Sequence, residues 1–224
     1  MTQPMRVLLL PGWQNSNAGH WQRRWQVLHG FEWVEQSDWH MPRRGDWMAR
    51  LDDVLLDDPC PAVVVDNPRP IALVDNPRAV VLVAADNPRP VVLVDNPRPV
   101  VLVAHSLGCV LVAAWAGHSQ HVQRVRGALL VAPPDLQRDD TPPQLRPWAP
   151  VPQQRLPFPS VVVFSGDDPY CSASRAQRYA ADWGAEALNL GDKGHINGDS
   201  GLGDWTQGAA CLAAWGVALA ESGA

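Results

Sequence analysis

Long apolar runs are missing from this 224-residue sequence. No stretch reaches the length that a membrane-spanning helix requires, so we expect no membrane association. The first residues, MTQPMRVLLLPGW, place a single Arg before a few apolar residues, and this pattern indicates a first strand rather than a signal peptide. We therefore expect a soluble, cytoplasmic protein.

Positive charge and cysteine are also scarce. With a net charge of -5 the sequence has no basic footprint, so we expect no nucleic-acid partner. The cysteines include no CxxC pair, which argues against a zinc site and against a disulfide framework. We interpret all four as reduced thiols in the core or near a site: Cys60, Cys109, Cys171 and Cys211.

The order of sequence patterns predicts a single α/β domain over residues 1–224. Short apolar runs that end at Gly or Pro indicate buried strands, and segments with apolar residues at helical spacing follow them. This alternation favours a mainly parallel central sheet flanked by helices. The predicted strands are 6–13, 31–36, 100–105, 126–135, 160–170 and 185–191, and the predicted helices are 18–30, 43–58, 108–119, 172–185 and 206–223.

A tandem repeat interrupts this alternation. The tetrapeptide Asp-Asn-Pro-Arg occurs at 66–69, 75–78, 86–89 and 95–98, each time beside a short apolar run. Successive copies are 9, 11 and 9 residues apart. That is too short for a crossover between parallel strands, which needs roughly a dozen residues or more. We interpret residues 62–95 as an insertion that forms an edge meander, an extended protrusion or a loop.

Two explanations of the repeat stay open. It is either a duplication without function, or an arm that binds a protein partner or gates the substrate. The apolar runs 80–85 and 100–105 compete for one central position in the sheet. Only the second continues into a turn and a helix, so we predict that 100–105 forms the central strand.

The pentapeptide Ala104-His105-Ser106-Leu107-Gly108 ends that central strand. A serine at a tight strand-to-helix turn is typical of the nucleophile elbow, whose pattern is G-x-S-x-G, here with Ala104 in the first small position. The backbone amide of Leu107 would open the helix, where amides are unpaired and negative charge is favoured. We therefore predict Ser106 as a nucleophile and Leu107 as one oxyanion donor.

A nucleophilic serine needs a base and an acid that orients the base. In α/β-hydrolases these come after the serine in the order acid, then histidine. Asp167 and Asp168 end the strand near 165, and His195 comes after the last predicted strand. We predict Asp168 as the acid and His195 as the base, with Asp167 as the rival acid and Asp135 as a weaker one.

The sequence resembles the small α/β-hydrolases of the retinoblastoma-binding protein 9 type and their bacterial relatives. The resemblance rests on LLLPGWQNSNAGHWQRRW, VVLVAHSLGC, VVVFSGDDPYCS and GHIN, and it covers roughly residues 5–60 and 96–220. It implies an α/β-hydrolase fold with a minimal lid, no cofactor, a Ser106, Asp168 and His195 triad, and activity on small carboxylic esters. It also implies that the Trp13 backbone is the second oxyanion donor and that Gly12 lets this loop approach.

Further residues have open roles. We expect His105 to be a wall of the substrate site or a structural residue rather than the base. Trp148 and Leu145, in the segment 136–159, are candidate walls of the substrate pocket. Cys109 is either a buried residue under the elbow or a redox-sensitive thiol. A non-catalytic binding module on the same scaffold, and a peptidase or amidase with the same triad, are the alternative functions.

Overall fold

The computed structural model describes residues 5–57, 62–64, 79–82, 91–94 and 98–219. The chain divides into two compact units, Met1–Leu55 with Pro99–Ala224 and Leu56–Arg98. The strands of the first unit are β1 (Arg6–Leu10), β2 (Glu32–Trp33), β6 (Val100–His105), β7 (Val125–Val131), β8 (Ser160–Phe164) and β9 (Glu186–Asn189). They form one parallel sheet in the order β2-β1-β6-β7-β8-β9.

Helices and short 3₁₀ turns connect these strands. A crossover helix is the usual connection between parallel neighbours, and it explains the alternation of periodicities along the sequence. The described residues contain no helix long and apolar enough to cross a membrane. The helices are α1 (Trp21–His29), α2 (Arg44–Leu56), α3 (Leu107–Ala116), α4 (Ala173–Trp183) and α5 (Thr206–Ala210).

The central strands are buried on both faces. Every residue of β1 and of β6 is buried, as expected for parallel strands covered by helices on each side. Because successive side chains of a strand point to opposite faces, Leu8 and Leu10 enter one core with α2 and α3. Val7 and Leu9 enter a second core with α1 and the C-terminal segment.

The closing helix is shorter than the predicted 206–223. α5 ends at Ala210, a 3₁₀ helix runs over Cys211–Trp215, and Gly216 is left-handed with φ 80°. Beyond this end the chain packs closely: a Cβ on Gly127 of β7 would lie 2.3 Å from the Trp215 ring, so this indole sits directly on the sheet. Residues 220–223 of the predicted helix lie outside the described residues.

The predicted central strand is confirmed, since β6 pairs with β1 on one side and β7 on the other. The competing run 80–85 contributes to β4 (Ala79–Leu82) in the second unit. There it pairs antiparallel with β5 (Val91–Val94), which also pairs with β3 (Ala62–Val64). The repeats therefore supply a separate three-stranded sheet rather than a meander on the edge of the parallel sheet. The rest of residues 62–95 lies outside the described residues.

Candidate active site

Ser106 sits at the sharp turn between β6 and α3. Its backbone has φ 53° and ψ −123°, a conformation that L-residues rarely adopt and that marks a functional site when the surroundings hold it. The Ser106 amide donates to the carbonyl oxygen of Val131 at 2.9 Å, which ties the turn to the neighbouring strand. The side chain is thereby presented at the carboxyl edge of the sheet.

Two glycines allow the chain to close around this turn. A Cβ on Gly108 would lie 2.3 Å from the Leu10 carbonyl oxygen, so the first turn of α3 touches the end of β1. A Cβ on Gly12 would lie 2.7 Å from the Ser106 Cβ and 3.1 Å from its Oγ. Only a residue without a side chain lets the loop after β1 pass this close to the serine.

His195 links Ser106 to Asp168. The Ser106 hydroxyl donates to His195 Nε2 at 2.9 Å. On the other side of the ring, His195 Nδ1–H donates to the two Asp168 carboxylate oxygens, at 2.9 and 3.1 Å. The Asp168 side chain is only 2% exposed, and the His195 side chain 10%. This hydrogen-bonded line fixes the imidazole tautomer that can accept the hydroxyl proton.

The neighbouring carboxylates have other partners. Asp167 accepts from the Gly194 amide at 2.7 Å and from the Ser165 hydroxyl at 2.7 Å. These hydrogen bonds, Ser165 first, hold the pKa of Asp167 below its usual range. Asp135 pairs with Arg175 at 3.5 Å. Among the three predicted acids, Asp168 is therefore the one that contacts the His195 ring.

Two backbone amides are available beside Ser106. Leu107 is the first residue of α3, a position where the amide has no intrahelical acceptor. Within the described ranges, the Trp13 amide also donates to no other residue. Both residues line the same cleft as Ser106.

The cleft has a volume of about 340 Å³. One part of its lining is polar and comes from the loop after β1, including Asn15 and Ser16. The segment after β7 contributes apolar side chains, Leu136 and Leu145, together with the charged Asp135, Arg138 and Asp140. Of the residues predicted for the site, those that line the cleft are Gly12, Trp13, His105, Ser106, Leu107, Asp135, Leu145 and His195.

The prediction that Trp148 lines the pocket is wrong. Trp148 is fully buried, its indole N–H donates to the Pro42 carbonyl at 2.9 Å, and its ring packs edge-on against Trp47. It does not line the cleft, whereas the neighbouring Leu145 does. Burial of the large Trp148 ring is favourable because its one polar group, the indole N–H, donates to a carbonyl oxygen.

Two further residues that line the cleft, His20 and Tyr170, are not among those predicted from the sequence. His20 caps α1 through Nδ1, which accepts from the Gln22 amide, and its ring lies against His105 at 4.6 Å. Burial, then the neighbouring His195 and Arg23, lowers the pKa of His20 to about 3. Tyr170 packs edge-on against the His195 ring at 4.6 Å. The sequence signal for Tyr170 was its place in the DDPY motif.

Cys109 is a buried residue under the elbow. Its thiol is fully buried and donates to the Val131 carbonyl at 3.3 Å. Burial raises the pKa of the Cys109 thiol well above its usual range, so the reactive thiolate is disfavoured. In the part of the chain that the structure describes, no group of three His, Cys, Asp or Glu side chains is placed to hold a metal ion.

Comparison with known proteins identifies the family. Residues 7–67 and 91–214 match the family described as serine hydrolase. The chain belongs to the serine hydrolase family. Residues 68–90, within the predicted insertion, fall outside the two matched stretches. The resemblance of this serine hydrolase to the narrower retinoblastoma-binding protein 9 type stays a prediction. Among curated proteins, none matches the sequence.

Solved structures share the fold of this serine hydrolase. A YdeN-like hydrolase from Pectobacterium atrosepticum is 23% identical, with a TM-score of 0.68 over 95% of this chain and 91% of its own. The ydeN gene product of B. subtilis is 17% identical, with a TM-score of 0.59 over 95% and 98%. The esterase RhEst1 from a Rhodococcus species is 12% identical, with a TM-score of 0.58 over 95% and 90%. The predicted α/β-hydrolase fold is confirmed.

Proposed function

We propose that this hydrolase cleaves small carboxylic esters through an acyl-enzyme on Ser106. The observation that carries the proposal is the unbroken hydrogen-bonded line from Ser106 Oγ through His195 to Asp168. A serine hydroxyl is a weak nucleophile unless a base within hydrogen-bond reach removes its proton. His195 is at that distance, and Asp168 holds its ring in the required tautomer.

The reaction has two steps. His195 Nε2 takes the proton as Ser106 Oγ attacks the carbonyl carbon, and the amides of Trp13 and Leu107 stabilise the oxyanion. The protonated imidazole then gives its proton to the leaving alkoxide, and the C–O bond of the ester breaks. In the second step His195 removes a proton from water as the water oxygen attacks the acyl carbon. It then returns that proton to Ser106 Oγ as the bond between Oγ and the acyl carbon breaks, which releases the acid and the free serine.

An ester substrate is the choice that the comparisons favour, because RhEst1, a protein of the same fold, is described as an esterase. A peptidase or amidase would use the same residues and differ in leaving group. A buried Ser106 would favour the binding-module alternative, whereas Ser106 lines the cleft. We therefore propose an enzyme rather than a binding module. Whether it cleaves esters or amides is decided by the experiment below.

The test combines active-site labelling with a pair of substrates. A fluorophosphonate probe should form an adduct on Ser106, located by peptide mass spectrometry, and Ser106→Ala should abolish it. Ser119→Ala, which removes a serine hydroxyl bonded to Asp52 and remote from the cleft, is the matched control and should label like wild type. With a p-nitrophenyl ester, Ser106→Ala and His195→Ala should lower kcat by about 10³- to 10⁶-fold.

The substrate pair separates the remaining alternatives. The p-nitrophenyl ester and the p-nitroanilide of one acyl group differ only in the leaving group. Because the ester is intrinsically more reactive, turnover of the ester without detectable turnover of the anilide supports the esterase, and turnover of the anilide supports the amidase. A folded wild-type protein that neither labels nor turns over either substrate refutes the proposed function.

A further inference from the structure

The backbone that carries His195 adopts an unusual conformation. Gly194 has φ 54° and Ile196 has φ 48°, so left-handed residues flank the imidazole-bearing residue. Glycine adopts this conformation freely, but a β-branched residue such as isoleucine is strained in it. A strained segment persists only where its surroundings hold it, so the contacts of residues 195 and 196 decide where the imidazole lies.

Two buried ring N–H groups donate to consecutive carbonyls of this segment. His105 Nε2–H donates to the His195 carbonyl oxygen at 2.9 Å. The Trp21 indole N–H donates to the Ile196 carbonyl oxygen at 2.8 Å. Trp21 belongs to α1 and His105 to the end of β6, so both cross from other elements of the fold. The Ile196 side chain is itself fully buried in the core beside Trp21.

His105 is held as a neutral imidazole, and its one N–H is directed at the His195 carbonyl oxygen. The residue is 5% exposed, and its ring lies between those of His20, at 4.6 Å, and His195, at 4.9 Å. Burial, with His20 and His195 nearby, lowers the pKa of His105 well below its usual range. A neutral imidazole has one N–H, and the carbonyl can only accept, so that proton resides on Nε2.

We infer that His105 and Trp21 are positioning residues for the base, holding the 195–196 backbone so that the His195 imidazole reaches both Ser106 Oγ and Asp168. This rests on the proposed function of His195. Both residues donate to the backbone that carries His195, and His105 also packs its ring against the imidazole. Loss of either hydrogen bond should therefore lower the rate of the chemical step more than it weakens substrate binding.

The tryptophans of α1 provide a matched test. Trp21 and Trp25 each donate an indole N–H to a backbone carbonyl, Trp25 to Asp204 at 2.7 Å, and their rings touch at 4.8 Å. Phenylalanine removes the N–H in either case. We expect Trp21→Phe to lower kcat for the ester by about 10-fold with KM changed by less than about 2-fold, because small misplacements of reacting groups are costly. Trp25→Phe should leave kcat within about 2-fold of wild type.

His105 provides the rescue experiment. In His105→Gln the amide nitrogen can reach the position of Nε2, whereas His105→Leu keeps similar bulk without a donor. We expect His105→Leu to lower kcat by about 10²-fold and His105→Gln to restore it to within about 5-fold of wild type. Thermal unfolding of all four variants establishes that each is folded at the assay temperature.

The outcomes are distinguishable from failure of the proposed function. A wild-type enzyme without ester turnover refutes the proposed function. With an active wild type, equal kcat values for Trp21→Phe and Trp25→Phe overturn the positioning role of Trp21, and a glutamine variant as slow as the leucine variant overturns that of His105. If His105→Leu does not fold, the comparison of His105→Gln with wild type tests the role of His105, and the comparison of Trp21→Phe with Trp25→Phe tests that of Trp21.

Discussion

At the scale of single residues, the site depends on a distinction between adjacent aspartates. Asp167 and Asp168 carry the same functional group, yet Asp168 accepts from the His195 ring and Asp167 from the Gly194 amide. Successive side chains leave the backbone in different directions, so one carboxylate meets the imidazole and the other meets the backbone just before it. The first carboxylate therefore orients the His195 ring, and the second holds the loop before it.

We expect Asp168→Asn to lower kcat by about 10³- to 10⁴-fold, because an amide at this position favours the wrong imidazole tautomer. Asp167→Asn should cost less than about 10-fold, since its amide oxygen can still accept from Gly194. Steady-state kinetics with the ester substrate measure both. A larger loss in Asp167→Asn than in Asp168→Asn would show that the acid has been misassigned.

At the scale of elements, the approach of α3 to β1 builds the elbow. Gly108 is the second residue of α3 and faces the Leu10 carbonyl at a distance that excludes a methyl group. Gly45 holds the equivalent position in α2, and a Cβ there would meet nothing within 4 Å. Substitutions at these two glycines therefore distinguish the effect of close packing at Gly108 from the effect of helix propensity, which both positions share.

Gly108→Ala should lower the free energy of unfolding by about 1–3 kcal/mol, because the added methyl group pushes α3 from the strand. Gly45→Ala should leave it unchanged or raise it by up to about 1 kcal/mol, since alanine favours the helix. Urea unfolding monitored by tryptophan fluorescence measures both changes. Equal effects of the two substitutions would mean that the close contact in the elbow does not limit stability.

At the scale of the whole molecule, the fold buries two histidines in the neutral state. The unfolded chain protonates them near the ordinary pKa of 6.5, whereas burial keeps His20 neutral in the folded state down to about pH 3 and His105 well below 6.5. Below pH 6.5 the unfolded state therefore binds more protons, and stability decreases as the pH falls. The stabilisation is fully present above the unfolded pKa.

Between pH 6 and pH 5 each neutral histidine should contribute a loss of about 1 kcal/mol of unfolding free energy. His20→Asn removes one titrating group and keeps an oxygen that can cap α1. The difference in unfolding free energy between pH 6 and pH 5 should therefore be about 1 kcal/mol smaller in the variant than in wild type. Urea unfolding at both pH values tests this, and an unchanged difference would contradict a neutral, buried His20.

The sequence by itself determined the features that depend on local pattern. The alternation of apolar runs and helical periodicities was enough for the α/β class, and a serine at a strand-to-helix turn with Asp and His after it in order was enough to locate the candidate site. Helix ends were less certain, since packing of Trp215 against Gly127 and the left-handed Gly216 accompany an earlier end than propensity predicts.

Only the tertiary structure decided the features that depend on contacts between distant segments. Trp148 is a residue of the type that often lines a pocket, but the residues packed around it bury it completely. The apolar runs 80–84 and 100–104 have the same sequence and differ in the residues after them, and sheet pairing places 100–105 at the centre. His105 and Trp21 meet the His195 loop across long sequence separations. Hydrogen bonds of this kind leave no periodicity in the sequence, because they depend on where the folded backbone places a carbonyl.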